Sequence, residues 1–360
     1  MTGRLRRPAV VFAAGGTGGH VTPALAVAER LPAGVDAHVV GCGRDVERRL
    51  LRGRRLTHHT LPADAGRHGT TPLARLRSLR AARLAAARLL DRIEPSVVVG
   101  CGGYVSIPTV QAAAGRAIPV VLMEQNVVAG RATELLAPLA RELWTAFPLL
   151  EPLPRSSVLG NPTRRGFGAT TALAARSLVI LGGSQGARGL NEAIPAALAR
   201  ASLAGWTITH QAGRDVATTQ RRYDEAGLPA QVVESISAMP QRLAAASLVV
   251  SRAGATTLAE VAIAGVPLVL VPHPTSVRDH QRRNAEYASR WGGAAVVEER
   301  QLISHLPGVL QPLVDDARLR RWRGLQMQRL ATPTAADDIV GRLVSQFLVP
   351  AGTHSLEAAA

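Results

Sequence analysis

The chain has 360 residues, of which 47% are hydrophobic and only 3% aromatic, with 34 glycines and 23 prolines. That length suits two domains, each large enough to bury its own core, and the composition excludes disordered and fibrous proteins. The net charge is +16, and all 42 basic residues are arginine because the sequence contains no lysine. Chemistry that needs a lysine amine, such as a P-loop, a Schiff base or a pyridoxal enzyme, is therefore excluded.

The strong positive charge favours an anionic partner, which is a nucleic acid, a phosphorylated substrate or an acidic membrane surface. The sequence has no uninterrupted apolar run of about 18 residues and no signal-peptide pattern, so it predicts a cytoplasmic protein, soluble or peripheral. Cys42 and Cys101 lie far apart without metal-ligand spacing. We expect both to be packing residues in a reducing compartment.

Short β-branched runs alternate with longer stretches rich in Ala, Leu and Arg along the whole chain. This alternation predicts parallel sheets with helical crossovers, that is, a doubly wound α/β architecture. The predicted strands, in chain order, are Ala9–Ala14, Ala37–Gly41, Val97–Gly100, Val120–Glu124, Leu178–Leu181, Thr207–Gln211, Leu248–Ser251 and Leu268–Pro272.

The two halves of the chain begin in the same way. The first predicted strand leads into Gly15–His20, and the fifth leads into Gly182–Arg188; each has a strand, a glycine turn, a hydroxyl residue and a helix. Two similar domains, 1–155 and 156–335, are therefore predicted, with a proline-rich linker at 148–162. Residues 336–360 are expected to form a C-terminal helix and tail that returns to the first domain.

The loop Gly15–His20 has two interpretations. Its glycines let the backbone approach a ligand, and the following helix directs N–H groups and a partial positive charge at an anion, with His20 as a base or hydrogen-bond donor. The alternative is a tight turn with a surface histidine. Because the chain has a second loop of this kind, at Gly182–Arg188, the functional interpretation is favoured.

Two later motifs carry polar groups suited to a nucleotide sugar. Gly254–Glu260 predicts helix amides that hold phosphates, with Glu260 accepting hydrogen bonds from ribose hydroxyls; the alternative is a capped helix with a solvated Glu. Asp279–Asn284 is dense in donors and acceptors, as a sugar site must be, although alone it reads as an ordinary polar loop.

The segment Arg44–Arg92 contains thirteen arginines against four acids. Leucines at 73, 76, 79, 84, 89 and 90 alternate with arginines, a pattern that suits either an anionic membrane surface or a solvated helix packed on the sheet. Nucleic-acid binding is disfavoured because the segment lacks aromatic residues for base stacking.

Taken together, these motifs resemble glycosyltransferase family 28, nearly end to end. The motifs that carry the resemblance are Gly15–Pro23, Gly102–Ser106, Glu124-Gln125-Asn126, Gly160-Asn161-Pro162, Gly182–Ala187, Asp279-His280-Gln281 and Asn284-Ala285.

The resemblance implies the GT-B fold, with two Rossmann-like domains whose parallel sheets face each other across a cleft. It implies an inverting, metal-independent transfer of N-acetylglucosamine from UDP-N-acetylglucosamine to undecaprenyl-diphosphate muramyl-pentapeptide (lipid I) in peptidoglycan synthesis, with no cofactor. The membrane and the acceptor would belong to the N-terminal half, on the inner face of the plasma membrane, and His20 would be the catalytic base.

Position by position, the resemblance also implies contacts. The implied donor-binding residues are Thr17, Gly18, Gly19, Asn126, Arg164, Ser184, Ile236, Ala255, Thr256, Thr257, Leu258, Ala259, Glu260, Gln281 and Asn284. The implied acceptor-binding residues are Gly15, Gly16, Thr17, Gly102, Gly103 and Tyr104.

Two alternatives stay open. The stretch Pro274–Arg278 replaces a run that is usually Ala- or Asp-rich in the family, so a related enzyme that glycosylates a natural product or modified lipid fits as well. A basic membrane-binding or nucleic-acid-binding protein without turnover is the alternative of another class.

Overall fold

The computed structural model describes residues 7–62, 71–170, 175–183 and 186–348. These residues divide into two compact units. Unit 1 contains the chain up to Gln125, the segment Ala129–Arg164 and the segment from Thr334 onward; unit 2 contains Asn126–Val128 and Arg165–Pro333. The domain limits drawn from the sequence at residues 155 and 335 stay a prediction.

Strands and helices alternate through both units. The strands are β1 (Ala9–Ala13), β2 (Asp36–Gly41), β3 (Thr57–Thr60), β4 (Val97–Gly100), β5 (Val120–Glu124), β6 (Glu142–Thr145), β7 (Ser156–Val158), β8 (Ser177–Leu181), β9 (Thr207–Gln211), β10 (Ala230–Val233), β11 (Leu248–Ser251), β12 (Leu268–Leu270) and β13 (Ala294–Val296). The helices are α1 (Gly18–Ala28), α2 (Asp45–Leu51), α3 (Pro72–Ile93), α4 (Ser106–Ala114), α5 (Arg131–Leu136), α6 (Arg188–Leu198), α7 (Val216–Glu225), α8 (Met239–Ala244), α9 (Ala255–Ala264), α10 (His280–Ser289), α11 (Leu302–Asp315), α12 (Ala317–Gln328) and α13 (Ala335–Leu343), after which Val344–Leu348 forms a π-helical turn.

Unit 1 is built on a seven-stranded sheet in the order β3-β2-β1-β4-β5-β6-β7, with every pair parallel. Its central strands, AVVFA and VVVG, are buried along their whole length, as expected for a parallel sheet covered on both faces. One face packs against α3 and α4. The other packs against α1 and α13, so the C-terminal helix completes the core of unit 1.

Unit 2 repeats this plan with a six-stranded sheet in the order β10-β9-β8-β11-β12-β13, again entirely parallel. Its core joins β8, β11 and β12 to the apolar faces of α6 and α11. The predicted α/β class, with two parallel sheets, is confirmed.

All eight predicted strands form, with limits that differ by at most two residues. The strands that the sequence patterns do not predict lie at or next to a sheet edge: β3, β6, β7, β10 and β13. They are short, and several are polar, such as THHT in β3 and SSV in β7. β7 lies inside the stretch expected to be a linker and pairs with β6.

Each sheet reverses its strand order once, between β1 and β4 in unit 1 and between β8 and β11 in unit 2. Ligands of doubly wound proteins bind at the carboxyl ends of the strands flanking such a reversal. Within the described ranges, no helix is long and apolar enough to cross a membrane, and no three His, Cys, Asp or Glu side chains group to hold a metal ion.

Candidate active site

The first glycine loop, residues 15–20, joins β1 to α1 at the strand reversal of unit 1. Gly16 has a φ of +91°, a conformation that glycine adopts without strain. Thr17 is extended and precedes the first residue of α1. The half-buried His20 places Nδ1 3.1 Å from the Gly15 carbonyl oxygen and 3.3 Å from the Thr17 hydroxyl. The imidazole is thus anchored to the loop that precedes it.

We assign the ring hydrogen of His20 to Nδ1 on the basis of this contact. A carbonyl oxygen only accepts hydrogen bonds, so a hydrogen bond to Gly15 requires Nδ1 as its donor. In the neutral ring the lone pair then lies on Nε2. A general base needs an imidazole held in one tautomer with the opposite nitrogen able to accept a proton.

The loop after β4 forms the surface against which His20 rests. Gly102 and Gly103 have φ angles of +89° and +76°. A Cβ on Gly102 would lie 3.1 Å from His20 Cδ2, and one on Gly103 would lie 2.9 Å from His20 Nδ1 and 2.8 Å from the Gly15 carbonyl oxygen. Only glycine fits at these positions. The structure therefore brings His20, Gly15, Gly102 and Gly103 together.

Glu47 also belongs to this cluster, although the sequence motifs do not predict it; in the sequence it is one of the four acids of the basic segment Arg44–Arg92. Its side chain lies in the first turn of α2 and is 0% exposed. Oε1 accepts a hydrogen bond from Gly16 N at 2.6 Å, and Oε2 accepts from the backbone N of Cys42 at 2.9 Å and of Gly43 at 2.8 Å. The one signal in the sequence for this role is the position of Glu47 as the third residue of its helix, from which a carboxylate can reach back to the preceding amides.

Cys42 packs against the core of unit 1, as expected, and it also hydrogen-bonds to Glu47. Its Sγ donates to Glu47 Oε1 at 3.0 Å. Burial and this hydrogen bond raise the pKa of the Cys42 thiol to about 11. Burial alone would raise the pKa of Glu47, but the hydrogen bonds from the Cys42 thiol and the amides of Gly16, Gly43 and Cys42 lower it overall. Glu47 is therefore an anion and Cys42 a neutral thiol.

The second glycine loop follows β8 at the strand reversal of unit 2. Gly183 and Gly186 both have a φ of +79°. A Cβ on Gly186 would lie 2.4 Å from the Ala212 carbonyl oxygen, so the loop backbone packs directly against the end of β9. Ser184, the expected phosphate contact, lies outside the described residues.

The helix α9 follows β11, the strand that lies beside β8 in the sheet, on the other side of the same reversal. The side chains of Ala255, Leu258 and Ala259 are buried, so these residues can meet a ligand only through their backbones. The Thr256 hydroxyl is buried and has no hydrogen-bond partner among the described residues. Glu260 lies within α9 and is 5% exposed. The backbone N–H groups in the first turn of a helix have no hydrogen-bond acceptor within the helix, so they are suited to bind an anion.

Asn284, expected to contact the sugar, is 0% exposed and is already surrounded by protein groups. Its Oδ1 accepts from Val127 N at 3.1 Å, and its Nδ2 donates to Asn126 Oδ1 and to the Ala253 carbonyl oxygen, both at 3.0 Å. The amide therefore fixes the position of Asn126, another predicted donor residue. A direct sugar contact by Asn284 stays a prediction.

Gln281 lies in the first turn of α10 and is partly exposed. Its Oε1 accepts a hydrogen bond from His273 N at 2.9 Å, which leaves its amide nitrogen as the group directed to other partners. The two residues before the helix, Arg278 and Asp279, have φ angles of +56° and +55°. Left-handed backbone at consecutive non-glycine residues is costly and is typical of functional loops.

The other predicted contact residues are spread over both units. Arg164, at the end of its unit 1 segment, is half-buried, and Tyr104 packs partly on the core beside α3 and α4. Ile236, in the loop between β10 and α8 of unit 2, is partly buried.

The helix α3 divides the leucines of the basic segment into two groups. Leu89 and Leu90 are buried in the core of unit 1, as the packing interpretation predicts. Leu73, Leu76 and Leu84 are 57%, 46% and 62% exposed and Leu79 is half-buried, and membrane binding through this surface stays a prediction. The exposed leucines are accompanied by the exposed arginines at 77, 80, 83 and 88.

Comparison with known families matches both units. Residues 10–145 match the glycosyltransferase family 28 N-terminal domain, and residues 177–332 match the glycosyltransferase family 28 C-terminal domain. The two matches begin at β1 and β8, the strands that lead into the two glycine loops.

Curated relatives align over nearly the whole chain. One is the UDP-N-acetylglucosamine–N-acetylmuramyl-(pentapeptide) pyrophosphoryl-undecaprenol N-acetylglucosamine transferase of Acidithiobacillus ferrooxidans, 41% identical over 87% of this chain and 91% of the relative. A protein of the same name from Pseudomonas fluorescens is 41% identical over 92% of this chain and 96% of the relative.

Solved structures give the same result. The crystal structure of Acinetobacter baumannii MurG superposes with a TM-score of 0.79 at 31% identity and covers 94% of this chain and 99% of that one. The calicheamicin glycosyltransferase CalG4 superposes with a TM-score of 0.66 at 20% identity, covering 94% and 99% of the two chains, which is a likeness of fold alone.

Proposed function

The chain belongs to glycosyltransferase family 28 and has the GT-B fold, and from this premise we propose that it transfers N-acetylglucosamine from UDP-N-acetylglucosamine to lipid I. The observation that carries this proposal is the 41% identity, over 87% of the chain, with a transferase named for that reaction. The product is the lipid-linked disaccharide (lipid II) of peptidoglycan synthesis.

The reaction is a single displacement at the anomeric carbon of the donor sugar. The oxygen of the acceptor hydroxyl forms a bond to that carbon, and the bond from the carbon to the diphosphate oxygen breaks, so UDP leaves with the electron pair. The hydroxyl proton passes to His20 Nε2. Attack from the face opposite the leaving group inverts the configuration.

Unit 2 supplies the donor contacts in this proposal. The first-turn amides of α9 and the Thr256 hydroxyl are the groups available to the diphosphate, and they stabilise the charge that develops on the leaving UDP. Glu260 accepts hydrogen bonds from the ribose hydroxyls, and the Ile236 backbone meets the uracil. Because amides and a helix dipole take up the charge, we expect turnover without a divalent ion.

Asn126 and Gln281 are the polar side chains that we assign to the sugar. Asn284 supports them indirectly, because its amide holds Asn126 and the Val127 backbone in place. Gln281 is fixed through its oxygen to His273 N, so its amide nitrogen is the donor for a sugar hydroxyl.

Unit 1 supplies the base and the membrane contact. His20 rests on Gly102 and Gly103, where a side chain would collide with the ring, and the glycines leave backbone groups for the acceptor diphosphate. The exposed leucines and arginines of α3 suit peripheral binding to the anionic inner face of the plasma membrane.

The test is UDP release from UDP-N-acetylglucosamine by the purified protein in EDTA, with and without a short-chain lipid I analogue. We expect release that depends on the analogue and is unaffected by the chelator. UDP binding without release would move the function to another acceptor, such as a natural product. Salt-sensitive binding to nucleic acid, without UDP binding, would overturn the enzymatic proposal.

A further inference from the structure

We propose that Glu47 is a positioning residue that acts on His20 through the Gly15–Gly16 peptide. The role of Glu47 rests on the proposed function of His20 as the base. One peptide group makes both contacts, because its N–H belongs to Gly16 and its carbonyl belongs to Gly15. The N–H donates to Glu47 Oε1 at 2.6 Å, and the carbonyl oxygen accepts from His20 Nδ1 at 3.1 Å.

A peptide group can transmit the effect of a carboxylate because its nitrogen, carbon and oxygen are conjugated. An anion that accepts from the N–H increases the negative charge on the carbonyl oxygen, and hydrogen bonds in such a chain strengthen one another. The Gly15 carbonyl then accepts more strongly from Nδ1. A buried carboxylate has the same effect on the histidine of a catalytic triad, where it holds the tautomer and stabilises the imidazolium. Here one peptide lies between them.

The carboxylate is positioned for this role by the glycines around it. A Cβ on Gly41 would lie 2.4 Å from Glu47 Oε2, and a Cβ on Gly15 would lie 3.0 Å from Oε1. Glu47 thus occupies a slot that only glycines leave open. Its remaining acceptor positions are taken by the amides of Cys42 and Gly43 and by the Cys42 thiol.

The groups around the loop leave Glu47 as the buried anion that faces this peptide. Arg44 is exposed and its Nη1 donates to the Gly16 carbonyl oxygen at 3.2 Å. His58 lies beside Gly41, and burial lowers its pKa, so it is neutral at pH 7. The other titratable groups near this peptide among the described residues include Cys42, Arg48, whose Nη1 donates to the Gly43 carbonyl oxygen, and Tyr104, which follows Gly103. Because amides and not a cation hold the Glu47 carboxylate, no ion pair in the described part of the chain neutralises its charge, and that charge acts on the Gly15–Gly16 peptide.

The experiment compares Glu47→Gln with Asp45→Asn in the full-length protein. Both substitutions remove one negative charge from the first turn of α2, but Asp45 is exposed and pairs with the exposed Arg48. Two quantities are measured: the titration and tautomer of His20 by long-range proton–nitrogen NMR, assigned with His20→Ala, and the pH dependence of kcat/KM.

In Glu47→Gln we expect the His20 titration to move about one pH unit lower, because the imidazolium loses a stabilising anion. The acid limb of kcat/KM moves in the same direction, and kcat at the optimum falls about tenfold, part of the 10²–10⁴ that a general base contributes. Asp45→Asn leaves both midpoints unchanged within about 0.2 pH units, since an exposed charge is screened.

Two results would overturn the proposal. One is an unchanged His20 titration in a folded Glu47→Gln variant. The other is a neutral His20 with its hydrogen on Nε2 in the unmodified protein, which decides the question even if the variant does not fold. Neither NMR result depends on turnover. A failure of the proposed transferase activity is therefore seen separately: UDP release is absent, while the His20 titration still responds to Glu47→Gln.

Discussion

The glycine loop after β1 and the glycine loop after β8 share a strand, a glycine turn and a helix, but different groups pack against them. In unit 1 the buried Glu47 carboxylate accepts from the Gly16 amide, and the loop carries His20. In unit 2 the described part of the loop packs against backbone: Gly186 lies against the Ala212 carbonyl oxygen, which also accepts from Asn191 Nδ2 at 2.9 Å.

In the proposed function the two loops hold different groups. The buried Glu47 anion stabilises an imidazolium on the first loop. After the second loop, the N-terminus of α6 offers a partial positive charge, and Gly189 in its first turn lies next to the Glu299 carboxylate, which pairs with Arg252. Under the proposed function, the same local motif serves base chemistry in unit 1 and donor binding in unit 2.

The largest expected effect is on kcat, and it distinguishes the two loops by their chemical roles. His20→Ala should lower kcat by about 10²–10⁴-fold while the KM for the donor changes little, because the base acts in the transition state. The matched substitution in the second loop is Arg188→Ala, which removes an exposed side chain paired with Glu192. Steady-state kinetics should show nearly normal turnover for Arg188→Ala. A His20→Ala enzyme nearly as fast as the parent would disprove the base assignment.

The second prediction separates the loops by their packing. Gly16→Ala places a Cβ in open space at a φ of +91°, so it should cost about 1–2 kcal/mol from backbone strain. Gly186→Ala adds a collision 2.4 Å from the Ala212 oxygen and should cost about 3–5 kcal/mol. Hydrogen exchange at β1 and at β8 would measure the stability of each unit. Equal losses would mean that the Gly186 loop relaxes freely.

The third prediction concerns the donor. Glu260→Ala should weaken UDP binding about ten- to hundredfold, the value of a hydrogen bond to a charged group, with a smaller effect on kcat. Glu286→Ala is the control in unit 2, because Glu286 forms an exposed pair with Arg283. Titration calorimetry with UDP measures both variants. Unchanged affinity in Glu260→Ala would remove Glu260 from the ribose site.

The sequence predicts the centre of each sheet better than its edges. Runs such as VVVG in β4 are apolar at every position because both faces are covered, so their composition reveals them. Among the described strands, THHT of β3 pairs with β2 alone, and it lies half in solvent, so its sequence shows no apolar pattern. Its pairing depends on tertiary contacts.

The site shows the same limit. The glycine loops and His20 follow from local spacing, but Glu47 lies 31 residues from the Gly16 amide that it holds. Asn284 is similar: its residue type suggested a sugar contact, whereas its bonds to Val127 and Asn126 span 157 and 158 positions. Which buried polar group serves which loop is decided by packing that a single sequence does not reveal.

The smallest expected effect tests whether membrane binding belongs to unit 1 alone. Leu84 on α3 and Leu325 on α12 are almost equally exposed, at 62% and 57%, so substituting either by serine removes a similar apolar surface. Leu84→Ser should weaken binding to vesicles containing anionic lipid about three- to tenfold, a fraction of the value of a fully buried leucine. Leu325→Ser should leave binding unchanged in the same sedimentation assay. Equal losses of binding in the two variants would show that both units contact lipid. If Leu84→Ser binds as well as the parent, the membrane contact is made by the arginines of α3 through charge alone. Binding would then disappear at high salt.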